Sequence, residues 1–406
     1  MIAQYFPPAG GVGTFRVTKF VKHLRQSGWE PVILTEREDY YPEKAWFDRG
    51  LEKDIPQDVR IYRTKVWRSR IINDEGIRWL PCLLSAVARV IRKERPQIVY
   101  ITGGPFFPLI AGPLIKGLFH LPYVIDLRDP WRLARCGSKR TGLKTRIGRL
   151  LTDVLEPWVV RCASKVICVS NAMCAEYREC YRLLPEGRFA VITNGYDPDD
   201  FAHCSPALLE KPTIVYAGKF RTSESFRNPV LFFRAMKLLA DRGRHINFLH
   251  IGQEEREVSC LAEQEGVTDQ MVHIGPLSYS ETIAYCLGAD VLLLIGGGQP
   301  TEQTGKVFDY IGCGKPILAM APKKGEIARI LKEIPGTWVL EHADPGTIAS
   351  LLDKLCFGAN QPCDMPKLAL VQYQRRHLTS VLSKVLDEVS LSAPGNRGSA
   401  DDAKAL

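Results

Sequence analysis

Short, unbroken apolar runs recur along this 406-residue chain with longer amphipathic stretches between them, and the series plays out twice. The first set is IAQYF (2–6), PVILT (31–35), QIVYIT (97–102), PYVID (122–126), KVICVS (165–170) and FAVIT (189–193). The second is TIVYA (213–217), INFLHI (246–251), VHIG (272–275), DVLLLI (290–295) and PILAM (316–320). Most are continuous rather than alternating, which predicts parallel strands covered on both faces. Helix-length segments fit between them, such as TFRVTKFVKHLRQSG (14–28) with Gly28 as its stop. Strand and helix alternating twice over predict an α/β chain of two Rossmann-like, doubly wound parallel-sheet domains. The turn-rich stretch TNGYDPDDF (193–201) separates them. The expected layout is therefore a first domain over 1–195, a second over 198–365, a C-terminal helix over 366–389, and a disordered tail over 390–406.

Hydrophobic residues make up 45% of the chain and charged ones 24%, which places it with ordinary globular proteins. The apolar stretch 106–125 is long enough to span a bilayer, but Pro108, Pro113, Lys116, His120 and Pro122 cut it into a buried helix and a buried strand. MIAQYFPPAGG has no basic start and breaks its apolar run at Pro7, so no signal peptide is expected. Twelve cysteines without a Cys-x-x-Cys pair predict reduced thiols rather than a metal cluster. Charge is uneven: residues 1–195 carry +13 and the remainder −4. The densest basic stretch, RLARCGSKRTGLKTRIGRLL (132–151), reads either as a solvated helix face or as a contact for an anionic membrane surface. No recognition motif accompanies the charge, so nucleic acid is not expected as a partner.

Four strand ends gather chemistry-bearing residues. In TGKVFDYIGCGKPILA (304–319), Thr304 is a candidate N-cap and Gly305 permits close approach to a ligand. Lys306 beside the helix start makes an anion site suited to phosphate, and Asp309 one turn on could accept from vicinal hydroxyls. In VYAGKFRTSESFRN (215–228), Gly218 opens a turn, and Lys219 and Arg227 could neutralise a diphosphate. PPAGGVGTF (7–15) brings backbone close to a ligand at Gly10 and Gly11. It matches the dinucleotide fingerprint only partly, because Arg16 stands where a small residue belongs. PYVIDLRDPW (122–131) sets Asp126, Arg128 and Asp129 at a strand end, where they could position an acceptor hydroxyl or take its proton. Each of these stretches also reads as an ordinary connection with a surface ion pair or a capping residue.

Taken in order, YFPPAGG, DLRDPW, VSNAM, VITNGYDPDDF, VYAGKF, HIGQ and TGKVFDYIGCGKPILA resemble the retaining nucleotide-sugar glycosyltransferases of the GT-B fold, in the group called family four. The resemblance implies two lobes facing a cleft, with a nucleotide sugar held by the second and a glycan or lipid-linked acceptor by the first. Lys219 and Arg227 match the basic residues that meet the donor diphosphate. Asp309 stands where the family has a ribose-binding glutamate. The family's other glutamate is replaced by Thr301, with Glu302 adjacent, and is not carried over. Asp126, Arg128, Asp129, Lys219 and Arg227 are the candidate catalytic residues. Gly10, Gly11, Gly218, Lys219, Arg227, Thr304, Gly305, Lys306 and Asp309 are the candidate donor contacts. No metal or other cofactor is expected, and the expected place is the cytoplasm, peripheral on the inner membrane face. A catalytically silent sugar-nucleotide scaffold and a nucleotide-sugar epimerase are the alternatives.

Overall fold

A computed structural model describes residues 1–41, 47–69, 71–132, 143–210, 212–220, 227–358 and 367–392. The chain divides into two compact units, one formed by residues 1–193 together with the segment from Arg375 on, the other by Asn194–Gln374.

In the first unit α1 (Val12–Leu24), β1 (Val32–Glu36), β2 (Arg60–Thr64), α2 (Glu75–Glu94), β3 (Val99–Thr102) and α3 (Ala111–Phe119) lead to β4 (Tyr123–Leu127). Then come α4 (Leu143–Cys162), β5 (Lys165–Cys168), α5 (Asn171–Cys180) and β6 (Phe189–Val191). Every strand pair is parallel. The expected first strand, 2–6, meets the bridge pattern only at Ile2, which pairs with Leu34 on one side and Ile101 on the other. Backbone bonds nonetheless run from Met1 through Gln4 to both neighbours, so this segment fills the centre of the sheet between β1 and β3. The edge strand β2 was not anticipated, because its alternating, charged RIYRT lacks the apolar run of a buried strand.

The membrane-length stretch resolves as expected into a buried turn over Phe107–Ile110, α3, and β4. Among the described residues no helix is long and apolar enough to cross a membrane.

The second unit opens with α6 (Pro198–Ala202), β7 (Thr213–Ala217), α7 (Val230–Ala240), β8 (Asn247–Ile251), α8 (Arg256–Gln264) and β9 (Met271–Ile274). It continues with α9 (Tyr279–Gly288), β10 (Val291–Ile295), α10 (Lys306–Cys313), β11 (Ile317–Met320), α11 (Glu326–Leu331), β12 (Thr337–Leu340) and α12 (Pro345–Phe357). Its parallel sheet runs β9-β8-β7-β10-β11-β12, the doubly wound order in which the winding reverses between β7 and β10. Helix starts follow their caps: Ser278 and Glu281 form a reciprocal capping box on α9, and Asp344 caps α12.

The chain then returns to the first unit. Helix α13 (Arg375–Leu391) buries Leu378, Leu382, Val385, Leu386 and Val389 against Phe20 and Leu24 of α1 and against Tyr100, Val124 and Ile167 of the sheet. The C-terminal helix expected over 366–389 starts at Arg375 and belongs to the first unit, whereas the residues up to Gln374 belong to the second. The unit boundary falls at Thr193–Asn194, inside the turn-rich stretch. The tail expected to be disordered lies, beyond Ser392, outside the described residues.

Candidate functional site

In open α/β sheets a ligand lies at the carboxyl ends of the strands where the winding reverses, here β7 and β10. Strand β7 ends in a turn that is fastened four times. The Gly218 N–H donates to Ile251 O at 2.6 Å, and His250 Nε2 meets Gly218 O at 2.8 Å. The Tyr216 hydroxyl donates to Lys219 O at 2.9 Å, and the Phe220 N–H donates to a Glu255 carboxylate oxygen at 2.6 Å. Gly218 sits at φ +111°, a conformation that only glycine adopts without strain. The turn is rigid at its base and leaves the Lys219 side chain exposed.

Beneath it Tyr216, His250 and His273 stand directly opposite one another across β7, β8 and β9. His273 Nε2 contacts Gly252 O at 3.0 Å, as His250 does Gly218 O. Burial lowers the His250 pKa to about 4, so at neutral pH its imidazole is uncharged and its Nε2–H supports the turn. The unfolded chain binds a proton below about pH 6.5 that the folded chain refuses until about pH 4. Stability is therefore expected to fall as pH drops through that window, by roughly 1.4 kcal/mol per unit at most. His250→Asn should flatten this dependence in urea unfolding; an unchanged slope would assign it to other groups.

Strand β10 leads through a glycine loop to α10. Val307, Phe308 and Ile311 are fully buried, and the Tyr310 hydroxyl accepts from Ala217 N–H at 3.0 Å, so the helix is pinned to the end of β7. The Lys306 ammonium lies 4.1 Å from the Tyr216 ring centroid and donates to its hydroxyl at 3.0 Å. A Cβ on Gly218 would fall 2.6 Å from Lys306 Nζ, so the turn and the cation are in contact. The structure thus brings Lys306 against Gly218, with exposed Lys219 the next residue in the chain. Thr304 does not cap α10 with its side chain, as had been expected; Gly305, in helical conformation, is the N-cap, and the Thr304 carbonyl accepts from Val307 N–H at 3.4 Å.

Asp309 accepts a 2.9 Å bond from the Tyr279 hydroxyl, whose proton burial and the adjacent carboxylate hold in place. Arg227, expected to help neutralise a diphosphate, has a carboxylate partner in the structure. It is bound to Glu302, whose other oxygen accepts from Gly297 N–H at 2.5 Å. Its charge is largely met by that carboxylate, and the pair ties the start of α7 to the loop after β10. Residues 221–226, part of the same loop, lie outside the described residues.

In the first unit Asp126 is fully buried at the end of β4. It accepts from Arg16 Nε at 2.7 Å and Nη2 at 2.9 Å, and from the Tyr100 hydroxyl. Arg16 also donates to the Ile192 and Thr193 carbonyls at 2.8 and 2.7 Å. This corrects the catalytic role expected of Asp126: a carboxylate with no exposed surface and three donors around it locks α1, β3, β4 and the end of β6 together. Arg16, which spoils the dinucleotide fingerprint, is there for this pair.

Arg128 is only partly buried. It donates to Gly103 O at 2.7 Å and to Gly104 O, and burial pulls its pKa below the usual guanidinium value. A Cβ on Gly13 would fall 1.2 Å from Arg128 Nη1, so the glycine loop is small there to admit this side chain. Gly11, at φ +100°, turns the chain into α1, and Gly10 O accepts from the Thr14 hydroxyl at 3.3 Å. Asp129 is exposed beside Arg128.

Glu302, Tyr279, Tyr216 and His250 were not anticipated. The last two left one signal, a polar ring in otherwise apolar strand sequences.

Residues 9–200 match the family described as Glycosyltransferase Family 4. No curated protein matches the chain in sequence. Among solved structures, a sucrose-phosphate synthase from Thermosynechococcus elongatus is 14% identical with a TM-score of 0.62, over 96% of this chain and 95% of that one. WaaG, a glycosyltransferase involved in lipopolysaccharide biosynthesis, is 14% identical with a TM-score of 0.57, over 97% and 99%. A UDP-GlcNAc 2-epimerase from Methanocaldococcus jannaschii is 10% identical with a TM-score of 0.57, over 96% and 100%.

Proposed function

We propose that this chain, a family-four-like glycosyltransferase of the GT-B fold, moves a hexosyl group from a nucleotide sugar to a glycan or lipid-linked acceptor with retention at the anomeric carbon. One observation carries the proposal: Lys306 lies against Gly218 in the glycine turn after β7, with exposed Lys219 the next residue of that turn, where the winding of the second sheet reverses. Fixed cations there stabilise negative charge as it grows on a departing diphosphate. The bond from the anomeric carbon to the diphosphate oxygen breaks, and a bond to the acceptor hydroxyl oxygen forms on the same face. The acceptor's proton leaves with the diphosphate.

Asp309, held by Tyr279, is assigned the donor ribose, and the amides at the start of α10 share the phosphates. Gly10 and Gly11 are assigned close backbone approach to the donor. Arg128, with exposed Asp129 beside it, is assigned the acceptor. Lys219 and Lys306 take the place of a divalent ion, so EDTA is expected to leave turnover unchanged. The match of residues 9–200 and the likeness of the fold to WaaG support a role in surface polysaccharide or lipopolysaccharide synthesis at the inner membrane face.

Thermal-shift screening against UDP-, GDP- and ADP-sugars tests the donor assignment, since a ligand at a hundred times its Kd adds about 2.7 kcal/mol. One nucleotide class should raise the melting temperature of the wild type and not of a Lys219→Ala/Lys306→Met variant. Binding without turnover over many acceptors would make the chain a silent scaffold. An altered sugar released without acceptor would make it an epimerase.

A further inference from the structure

Gln4 and Glu36 stand side by side at the carboxyl edge of the first sheet, where the Glu36 N–H donates to Gln4 O at 3.4 Å. Both are almost fully buried, at 3% and 2% exposed. Two residues earlier in each segment, Ile2 and Leu34 join the core that holds Trp79 and Leu83 of α2, so Gln4 and Glu36 continue that face of the sheet. Gln4 Nε2 donates to Glu36 Oε2 at 3.1 Å. Burial pushes the Glu36 carboxyl up to about 8, so at neutral pH it carries a proton that it can donate.

Two polar atoms here are left bare. Gln4 Oε1 is buried without a hydrogen-bond partner, and so is Nε of Arg78, near the start of α2. Among the described residues the Arg78 guanidinium forms no hydrogen bond or ion pair. Its charge nevertheless opposes the rise that burial imposes on the carboxyls of Glu36 and Glu75. Folded proteins satisfy nearly all their buried polar groups, so a bare acceptor and a bare donor beside one carboxyl call for a ligand. Glu75 accepts from the Tyr5 hydroxyl, and Tyr5 meets Tyr41 edge-on with ring centroids 5.5 Å apart. Tyr41 in turn lies 6.0 Å from Phe47, a ring 46% exposed.

We propose that Gln4, Glu36 and Arg78 bind the hydroxyls of a neutral sugar ring on the acceptor side of the transfer. A sugar hydroxyl both donates and accepts, so it satisfies the Gln4 oxygen and the Arg78 nitrogen alike, while the Glu36 carboxyl donates to a third. Few polar groups beside aromatic rings are the usual make-up of a small-molecule site. A phosphate or carboxylate fits less well, because Glu75 already balances Arg78 and Glu36 adds no positive charge. The inference rests on the proposed transfer for its place in the reaction and adds to Arg128 and Asp129 the residues that read the acceptor's sugar.

The methyl glycosides of glucose, galactose, mannose and N-acetylglucosamine are titrated into the full chain and followed by saturation-transfer NMR. At least one should bind the wild type, and Arg78→Met should weaken that binding at least about tenfold, the usual loss of a hydrogen bond from a charged group. The melting temperature of the variant should stay level or rise, because the fold gives the Arg78 guanidinium no partner to lose. No glycoside bound by the wild type, equal affinity in the variant, or a variant that melts several degrees lower and so marks Arg78 as structural would overturn the proposal. Arg78→Met should keep the thermal shift given by the nucleotide sugar, so the donor assignment and the sugar subsite can fail separately.

Discussion

Lys306→Met is expected to lower sugar transfer by about 10²–10³-fold, the usual loss when one fixed stabiliser of a developing anion is removed. The ammonium is already placed in the resting protein. It rests on the Tyr216 ring and against Gly218, at the start of a helix whose other face is buried. No reorganisation is needed at the moment the diphosphate departs, which is why its removal should act on turnover. Met keeps the helix propensity and most of the contact with the ring, so unfolding by urea should change by less than about 1 kcal/mol. Lys219→Ala, at an exposed position, should likewise reduce transfer with little effect on folding. Transfer assays on both variants, run beside melting curves, give the answer. Full turnover in either would remove that lysine from the diphosphate.

The second large effect concerns stability. Asp126→Ala is expected to destabilise the first unit by about 3–5 kcal/mol, because it strands the fully buried Arg16 guanidinium without a countercharge. Arg16→Met/Asp126→Leu, which removes both charges, should recover much of that loss. Urea unfolding of the full chain decides between the two possible roles. A catalytic Asp126 would give a variant that folds normally and transfers nothing. A structural one gives the stability loss and its rescue.

The buried strands were legible because apolar runs such as VLLLI need no partner to identify them, and their ends marked where ligands sit, whereas the strand order that fixes where the winding reverses was not. What escaped depends on distance along the chain. Asp126 reads as a strand-end carboxylate until Arg16, 110 residues away, is found to close on it. Glu302 looked like a misplaced neighbour of a family position, yet its two oxygens hold Arg227 and Gly297. The edge strands failed for another reason. RIYRT and TWVL are at most half-buried, so their sequences carry no continuous apolar signal. Thr304 has the residue type of a cap, but cap identity depends on backbone conformation, and the helix starts beyond it.

The return of α13 to the first sheet makes Asn194–Gln374 an insertion: the polypeptide leaves one unit, completes another, and comes back. That arrangement turns the second unit into a cassette with both ends on the same host. Excised between those ends, it should fold and bind nucleotide sugar alone, whereas a chain cut after Gln374 should lose its first unit. On the donor and acceptor assignment proposed above, exchange of such a cassette between related chains would replace the donor and leave the acceptor behind.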